Sequence, residues 1–184
     1  MVDNFIQSVQ DATKDAPKSI NWYRDKIREF GKPGALDLIR DGRRTTRPSA
    51  FNLNMFVYDP KYKKTLPYYD TFPLVLPLER YSDGFLGLNF HYLPIPLRVR
   101  LLDKINTIPE DNQYSERDQL RISYARASTI PMAKAVIKRY LYSHLKSQIR
   151  VVSPDEWVIA VLLPVQRFKK ASTSKVYNET KKLF

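Results

Sequence analysis

Hydrophobic and polar positions change period along the chain. The changes divide it into a helical start, a β-rich middle and a mixed end. Near the N-terminus Phe5, Ile6, Val9, Ala12 and Ala16 recur at helical spacing until Pro17 interrupts them. Ser19 can cap a second segment, "INWYRDKIREF", with Ile20, Tyr23, Ile27 and Phe30 on one face. Gly31, Pro33 and Gly34 end it. This stretch reads equally well as a helix pair packed on the body and as an arm docked on a neighbouring subunit.

Strand periodicity begins at "FNLNMFVYDP", where Phe51, Leu53, Met55 and Val57 alternate with Asn52, Asn54 and Phe56. "DPKYKKTLP" reads as a turn. "FPLVLPLERY" is apolar, but Pro73 and Pro77 each remove a backbone donor, which demands an edge, bulged or short strand. Asp83 and Gly84 suggest a tight turn with Gly84 at positive φ. In "FLGLNFHYL" a period of two places Phe85, Gly87, Asn89 and His91 on one face, and Leu86, Leu88, Phe90 and Tyr92 on the other. Gly87 marks the close approach of a bulky neighbour, with Trp157 and Tyr69 as candidates.

A short helix is predicted over 97–106, followed by a polar, broken stretch over 107–130. Pro131 opens the longest helical pattern, "PMAKAVIKRYLYSHLKSQIR". Ala133, Ile137, Leu141, Leu145 and Ile149 make an apolar stripe at spacing four. Lys134, Lys138, Tyr142, Lys146 and Arg150 form a cationic stripe beside it. "WVIAVLLPVQRF" reads as a strand closing the β unit, and "KKASTSKVYNETKKLF" as an extended basic tail. The predicted fold class is α+β: a small antiparallel β-barrel-like unit with flanking helices and extended N- and C-terminal arms. The expected segments are a helical arm and basic linker at 1–50, an α+β body at 51–168 and a basic tail at 169–184.

Composition sharpens this picture in two ways. The 184 residues contain no cysteine, which removes disulfides, thiolate nucleophiles and thiolate metal sites. Lys and Arg outnumber Asp and Glu by 31 to 19, and the net charge of +12 favours a polyanion or an acidic protein surface as partner. Cations cluster at 40–47, 134–150 and 167–182. In the first cluster Arg40, Arg43, Arg44 and Arg47 are opposed only by Asp41. Such a loop can follow a phosphate backbone or serve as a solvated linker. The linker reading is the simpler, because no aromatic residue is interleaved for stacking. The stripe through Lys134, Lys138, Tyr142, Lys146 and Arg150 is the better candidate for phosphates. No apolar run is long enough to suggest a membrane span, and the first residues lack a secretory pattern.

Catalytic chemistry finds little support. Of the two histidines, His91 lies near Asp70 and Asp83 in sequence and could form an acid–base pair. No cysteine nucleophile exists, and no serine sits in a nucleophile-elbow context. A strand histidine among aromatic residues reads as hydrogen-bonded core. No metal-ligand spacing and no phosphate-loop pattern occur, so no catalytic residue, metal or cofactor is expected. The aromatic residues between Thr65 and Pro94 exceed what one small sheet can bury, which points some of them toward a partner.

Two blocks carry a family resemblance. "FVYDPKYKKTLPYYDTFPLVLPLERYSDGFLGLNFHYLPIPLRVRLLD" and "VVSPDEWVIAVLLPVQRFKKASTSKVY" resemble virion proteins of T-even-like contractile-tailed phages, cyanophages included. The residues that carry it are Tyr58, Pro67, Tyr68, Tyr69, Asp70, Phe72, Pro73, Asp83, Gly84, Gly87, Asn89, His91, Tyr92, Pro94, Trp157 and Phe168. The resemblance implies a non-enzymatic virion component, assembled in the host cytoplasm and bound to other virion proteins. Its position would be the tail, the baseplate or the head–tail neck. The alternative, supported by the charge, is a DNA end protector making sequence-independent contacts to duplex DNA.

Overall fold

The computed structural model describes residues 43–106, 124–152 and 156–184. The expectations for the N-terminal helices, for Arg40 and for most of 107–130 lie outside these residues. In chain order the elements are β1 (Arg43–Thr45), β2 (Leu53–Met55), β3 (Tyr69–Asp70), β4 (Leu74–Arg80), β5 (Gly84–Asn89), α1 (Ile95–Asn106) and α2 (Pro131–Val136). They continue with β6 (Ile137–Leu141), β7 (Ile149–Val152), α3 (Trp157–Leu162), β8 (Phe168–Lys169) and α4 (Thr173–Lys181). Six strands form one antiparallel sheet in the order β1-β7-β2-β4-β5-β6, and β3 pairs with β8 separately. The α+β class holds. Among the described residues, however, the sheet is open at β1 and β6 rather than barrel-like.

The period of two explains how the sheet buries both faces. Leu74, Leu76 and Leu78 of β4 and Leu88 of β5 face the helices, where they meet Leu101 of α1, Ala133 and Val136 of α2, Ile159 of α3 and Val176 of α4. The alternate positions Val75 and Phe85 face the other way. They join Phe56, Tyr58, Tyr140 and Ile149 in a second, aromatic cluster. There the Tyr140 ring stands edge-on to Phe56 at 5.3 Å and to Tyr58 at 5.0 Å, a favoured aromatic geometry.

Pro77 is accommodated as the missing donor requires. β2 reaches β4 only at Leu74 and Val75, and the β4–β5 register shifts between Pro77 and Glu79. Pro73 lies just before the strand. The glycines have a different role from that expected at Gly84, which is not at positive φ. A Cβ there would lie 1.9 Å from the Tyr140 carbonyl oxygen, so glycine is required for the approach of β6. At Gly87 the close neighbours are Val75 Cγ1 at 2.3 Å and the Leu76 carbonyl oxygen at 2.9 Å, not Trp157 or Tyr69.

Three expected elements are replaced. The long helix from Pro131 stops at Val136; the chain then extends as β6, turns at 142–144 and returns as β7. Val136, Ile137, Tyr140 and Tyr142 are β-branched or aromatic and suit a pleated surface, and β6 completes the exposed edge of β5. The strand expected at Trp157 is instead α3, with 158–162 buried and the Trp157 indole Nε1 donating to the Val152 carbonyl at 3.0 Å. The tail expected to be extended contains helix α4. The Ser172 side chain caps it by accepting from the Lys175 amide, and Val176 is fully buried.

Arg98 fastens these helices together. It is wholly buried on α1, and its Nε donates to the Leu93 carbonyl at 2.8 Å. Its other nitrogens donate to the Leu163 carbonyl at 3.1 Å, Gln166 Oε1 at 3.0 Å and the Tyr177 hydroxyl at 2.8 Å.

Candidate nucleic-acid interface

The residues that could have formed an acid–base pair are structural. His91 is completely buried, and its Nδ1–H donates to Asp70 Oδ2 at 2.9 Å. Asp70 also accepts from the Phe72 amide at 2.9 Å and the Arg167 amide at 3.1 Å, which ties β3 to the β8 segment. Burial pushes the Asp70 carboxyl up, but His91 and the two amides outweigh it and hold the group below the usual carboxylate range. Burial pushes the His91 imidazole below its ordinary value against the pull of Asp70. The pair is thus an ionised carboxylate receiving a neutral imidazole in a closed interior. Asn89 Nδ2 donates to the Tyr140 hydroxyl at 3.0 Å, and burial pushes that phenol upward. Asp83 lies apart from this network, on the β4–β5 turn, bonded to Arg139. Tyr92 packs against Tyr68 and Phe168, and Tyr69 is a β3 residue opposite Lys169. Apart from exposed Asp83 and half-buried Tyr68 and Tyr69, these motif residues build the core. No cluster of three or more His, Asp or Glu able to hold a metal occurs among the described residues.

The cations predicted as a single helical stripe are divided. Lys134 is exposed on α2. Lys138 turns inward over the Tyr92 ring at 4.5 Å, where burial lowers its pKa. The remaining three approach the first basic cluster. β7 lies beside β1, which sets Arg150 directly across from Arg44. Arg47 leaves β1 and places its guanidinium over the Tyr142 ring at 5.5 Å. Tyr142 itself packs on Phe85, so this contact roofs the aromatic cluster. The aromatic partner missing from the arginine loop in sequence is therefore supplied across the fold. Lys146 is exposed next in line, and its amide donates to the Val57 carbonyl at 2.8 Å. Arg43, Arg44 and Arg47 are all exposed. Arg44 and Arg150 thus place two like charges directly across the β1–β7 pair.

The rim continues into residues missed as candidates. The Asp59 amide donates to the His144 carbonyl at 3.1 Å, which joins the Tyr142–Lys146 turn to a loop carrying Lys61, Tyr62, Lys63 and Lys64. All four side chains of that loop are exposed. Their signal in the sequence was "KYKK", a tyrosine among lysines inside a turn. Lys170, at positive φ, extends its ammonium to the carbonyls of Lys63, Lys64 and Leu66 at 3.2, 3.0 and 2.6 Å.

The fold and rim define a basic α+β protein whose polar core is structural and whose exposed chemistry suits a polyanion. A family model for the phage T4 terminal DNA protecting protein matches residues 1–183, and the chain belongs to that family. No curated protein and no solved structure matches the chain. The family supports the phage assignment. It favours DNA-end protection, first offered as the alternative, over a tail or baseplate position. It is a protecting family rather than a catalytic one, and the protein is not an enzyme. Among the described residues no helix is long and apolar enough to cross a membrane.

Proposed function

We propose that this protein binds the ends of duplex DNA through sequence-independent phosphate contacts and shields them from nucleases. The family assignment supports the target. The observation that carries the binding mode is the approach of two segments of the chain, 43–47 and 142–150: Arg44 stands across the β1–β7 pair from Arg150, Arg47 covers the Tyr142 ring, and exposed Lys146 lies between Tyr142 and Arg150 in the chain. Cations held at a sheet edge meet phosphates without reading bases, because base edges are read by elements that enter a groove. Within the virion the protein stays with the packaged genome. There it also binds other virion proteins.

The test is a salt titration of binding to a linear duplex, combined with exonuclease digestion. Binding is expected to weaken steeply with salt, with log–log slope about −0.9 per phosphate neutralised. Digestion from the ends is expected to slow in proportion to occupancy. Weak, salt-insensitive binding, or unhindered digestion at saturating protein, overturns the reading.

A further inference from the structure

Phosphate contacts do not distinguish the end of a duplex from its middle, since backbone charge is present in both. What the end alone offers is one uncovered base-pair face. Everywhere else each pair is stacked on both sides. We propose that Tyr62 reads this difference by stacking on the terminal base pair, with Lys61 and Lys64 taking the flanking phosphates. The inference rests on the end-binding reading above and names the group that makes it end-specific.

Tyr62 is the most exposed aromatic side chain among the described residues, at 63%. The other large exposed aromatics are Tyr81 and Phe184. Tyr81 is covered by Arg139 at 4.3 Å and bonded to Glu79, beside Asp83, in acidic surroundings. Phe184 is the last residue of the chain. Tyr62 instead sits among three lysines. Lys63 is engaged by Asp59 at 2.8 Å. The Lys61 ammonium sits over one face of the Tyr62 ring at 5.4 Å, farther off than the arginine on Tyr81, and the base pair takes the other face. Lys64 has no ion-pair partner among the described residues.

The loop is also preorganised. The amides of Thr65 and Leu66 both donate to the Tyr62 carbonyl at 3.0 Å, the Lys63 amide donates to the Pro60 carbonyl, and Lys170 gathers three carbonyls from the far side. A rigid platform loses little freedom on binding, which is what a stacking contact requires to be effective. The loop joins the arginine rim through the Asp59–His144 and Val57–Lys146 backbone bonds. A duplex whose backbone lies on that rim can therefore present its end to Tyr62.

The experiment compares affinity for a blunt linear duplex with that for a dumbbell of the same sequence whose ends are closed by hairpin loops. 2-Aminopurine is placed either in the terminal pair or ten pairs inside. Wild type is expected to prefer the open duplex, and stacking of one base is worth about 5- to 150-fold in affinity. Terminal, but not internal, 2-aminopurine fluorescence is expected to be quenched. Tyr62→Ala should abolish the preference and the quenching while binding the dumbbell within about two-fold of wild type, and Tyr62→Trp should retain both. The side chain supports no other part of the fold, so the variants remain folded.

Four results overturn the inference. One is a Tyr62→Ala protein that keeps its end preference. Another is one that weakens on both DNAs equally. A third is an end preference that vanishes on removal of the 5′ phosphate but survives Tyr62→Ala, which assigns end reading to charge. Each of these leaves the end-binding proposal standing. Failure of wild type to bind either DNA sinks that proposal as well.

Discussion

The interior and the rim treat charge in opposite ways. Inside, Arg98, Asp70 and His91 are wholly or almost wholly buried; Arg98 donates to carbonyls, Gln166 and Tyr177, and Asp70 accepts from His91 and two backbone amides. At the rim, Arg43, Arg44 and Arg47 are exposed, and β7 even sets Arg150 opposite Arg44. A buried charge must be satisfied by the fold or the fold fails. An exposed charge is cheap to place and costs the fold little when removed. The position of a charge thus separates residues that build this protein from residues free to bind something else.

The contrast breaks first at Arg98 if it is wrong. Arg98→Met keeps much of the side-chain volume but leaves the Leu93 and Leu163 carbonyls, Gln166 and Tyr177 without their donor. Each abandoned buried acceptor costs about 1–3 kcal/mol, and partial rescue by water keeps the total near 3–5 kcal/mol. Denaturant unfolding should show this loss, while the folded fraction binds DNA with wild-type affinity. Equal affinity loss and little destabilisation would place Arg98 in the binding surface. Next comes Gly84→Ala. A methyl group 1.9 Å from the Tyr140 carbonyl oxygen forces β5 and β6 apart, at about 1–3 kcal/mol. The melting temperature should fall and the salt slope of DNA binding should not change.

A smaller effect concerns pH. His91 and Asp70 both have folded-state pKa values below their ordinary ones. The unfolded chain then binds more protons as pH falls, so stability is complete above about 6.5 and declines below it. His91 accounts for the loss that begins near 6.5, and Asp70 for loss that begins below about 4. His91→Asn retains a donor toward Asp70 but does not titrate. It is expected to be less stable at pH 8 by about 1–2 kcal/mol, from the smaller side chain, and to lack the upper limb of the decline. A melting temperature that falls with the same profile in both proteins would show that His91 does not titrate on unfolding.

Much of the interior was legible in the sequence, because strand alternation at 74–89 separates two faces and both are packed. His91 was readable as core from its aromatic neighbours, although the expected strand ends at Asn89 and His91 lies in a 3-10 turn over 90–92, where the Asn89 side chain accepts from its amide. The rim was less legible. The stripe through Ala133, Ile137, Leu141, Leu145 and Ile149 has spacing four, which is an even number and fits a strand's period of two as well as a helix's turn. The helical reading overlooked the β-branched and aromatic residues between Val136 and Tyr142, which decide for the strand. The run at Trp157 is apolar throughout, so periodicity could not choose between strand and helix, and burial on all sides permits either. Those two misreadings hid the site. Once Pro131–Arg150 divides into α2, β6 and β7, Lys138 turns inward, while Tyr142 and Arg150 come to Arg47 and Arg44. No local pattern around Arg47 announces an aromatic partner 95 residues away.

The smallest effect tests the rim alone. Arg47 is exposed, and its contact with Tyr142 is a surface cation–π pair at 5.5 Å. Arg47→Ala should therefore change stability by no more than about 0.5–1 kcal/mol. If its guanidinium neutralises one phosphate, the salt slope of DNA binding should become shallower by about 0.9, with the loss of affinity greatest at low salt. Arg139→Ala is the matched comparison. Arg139 is also an exposed arginine over a tyrosine ring, but its charge is engaged by an ion pair with Asp83 on the β4–β5 turn. Its removal should leave the slope unchanged. Two arginines of equal charge and similar stacking would then differ in whether a carboxylate already holds the guanidinium. Equal slope changes for the two would mean that DNA responds to net charge as a whole, and the rim would lose its claim to be a site.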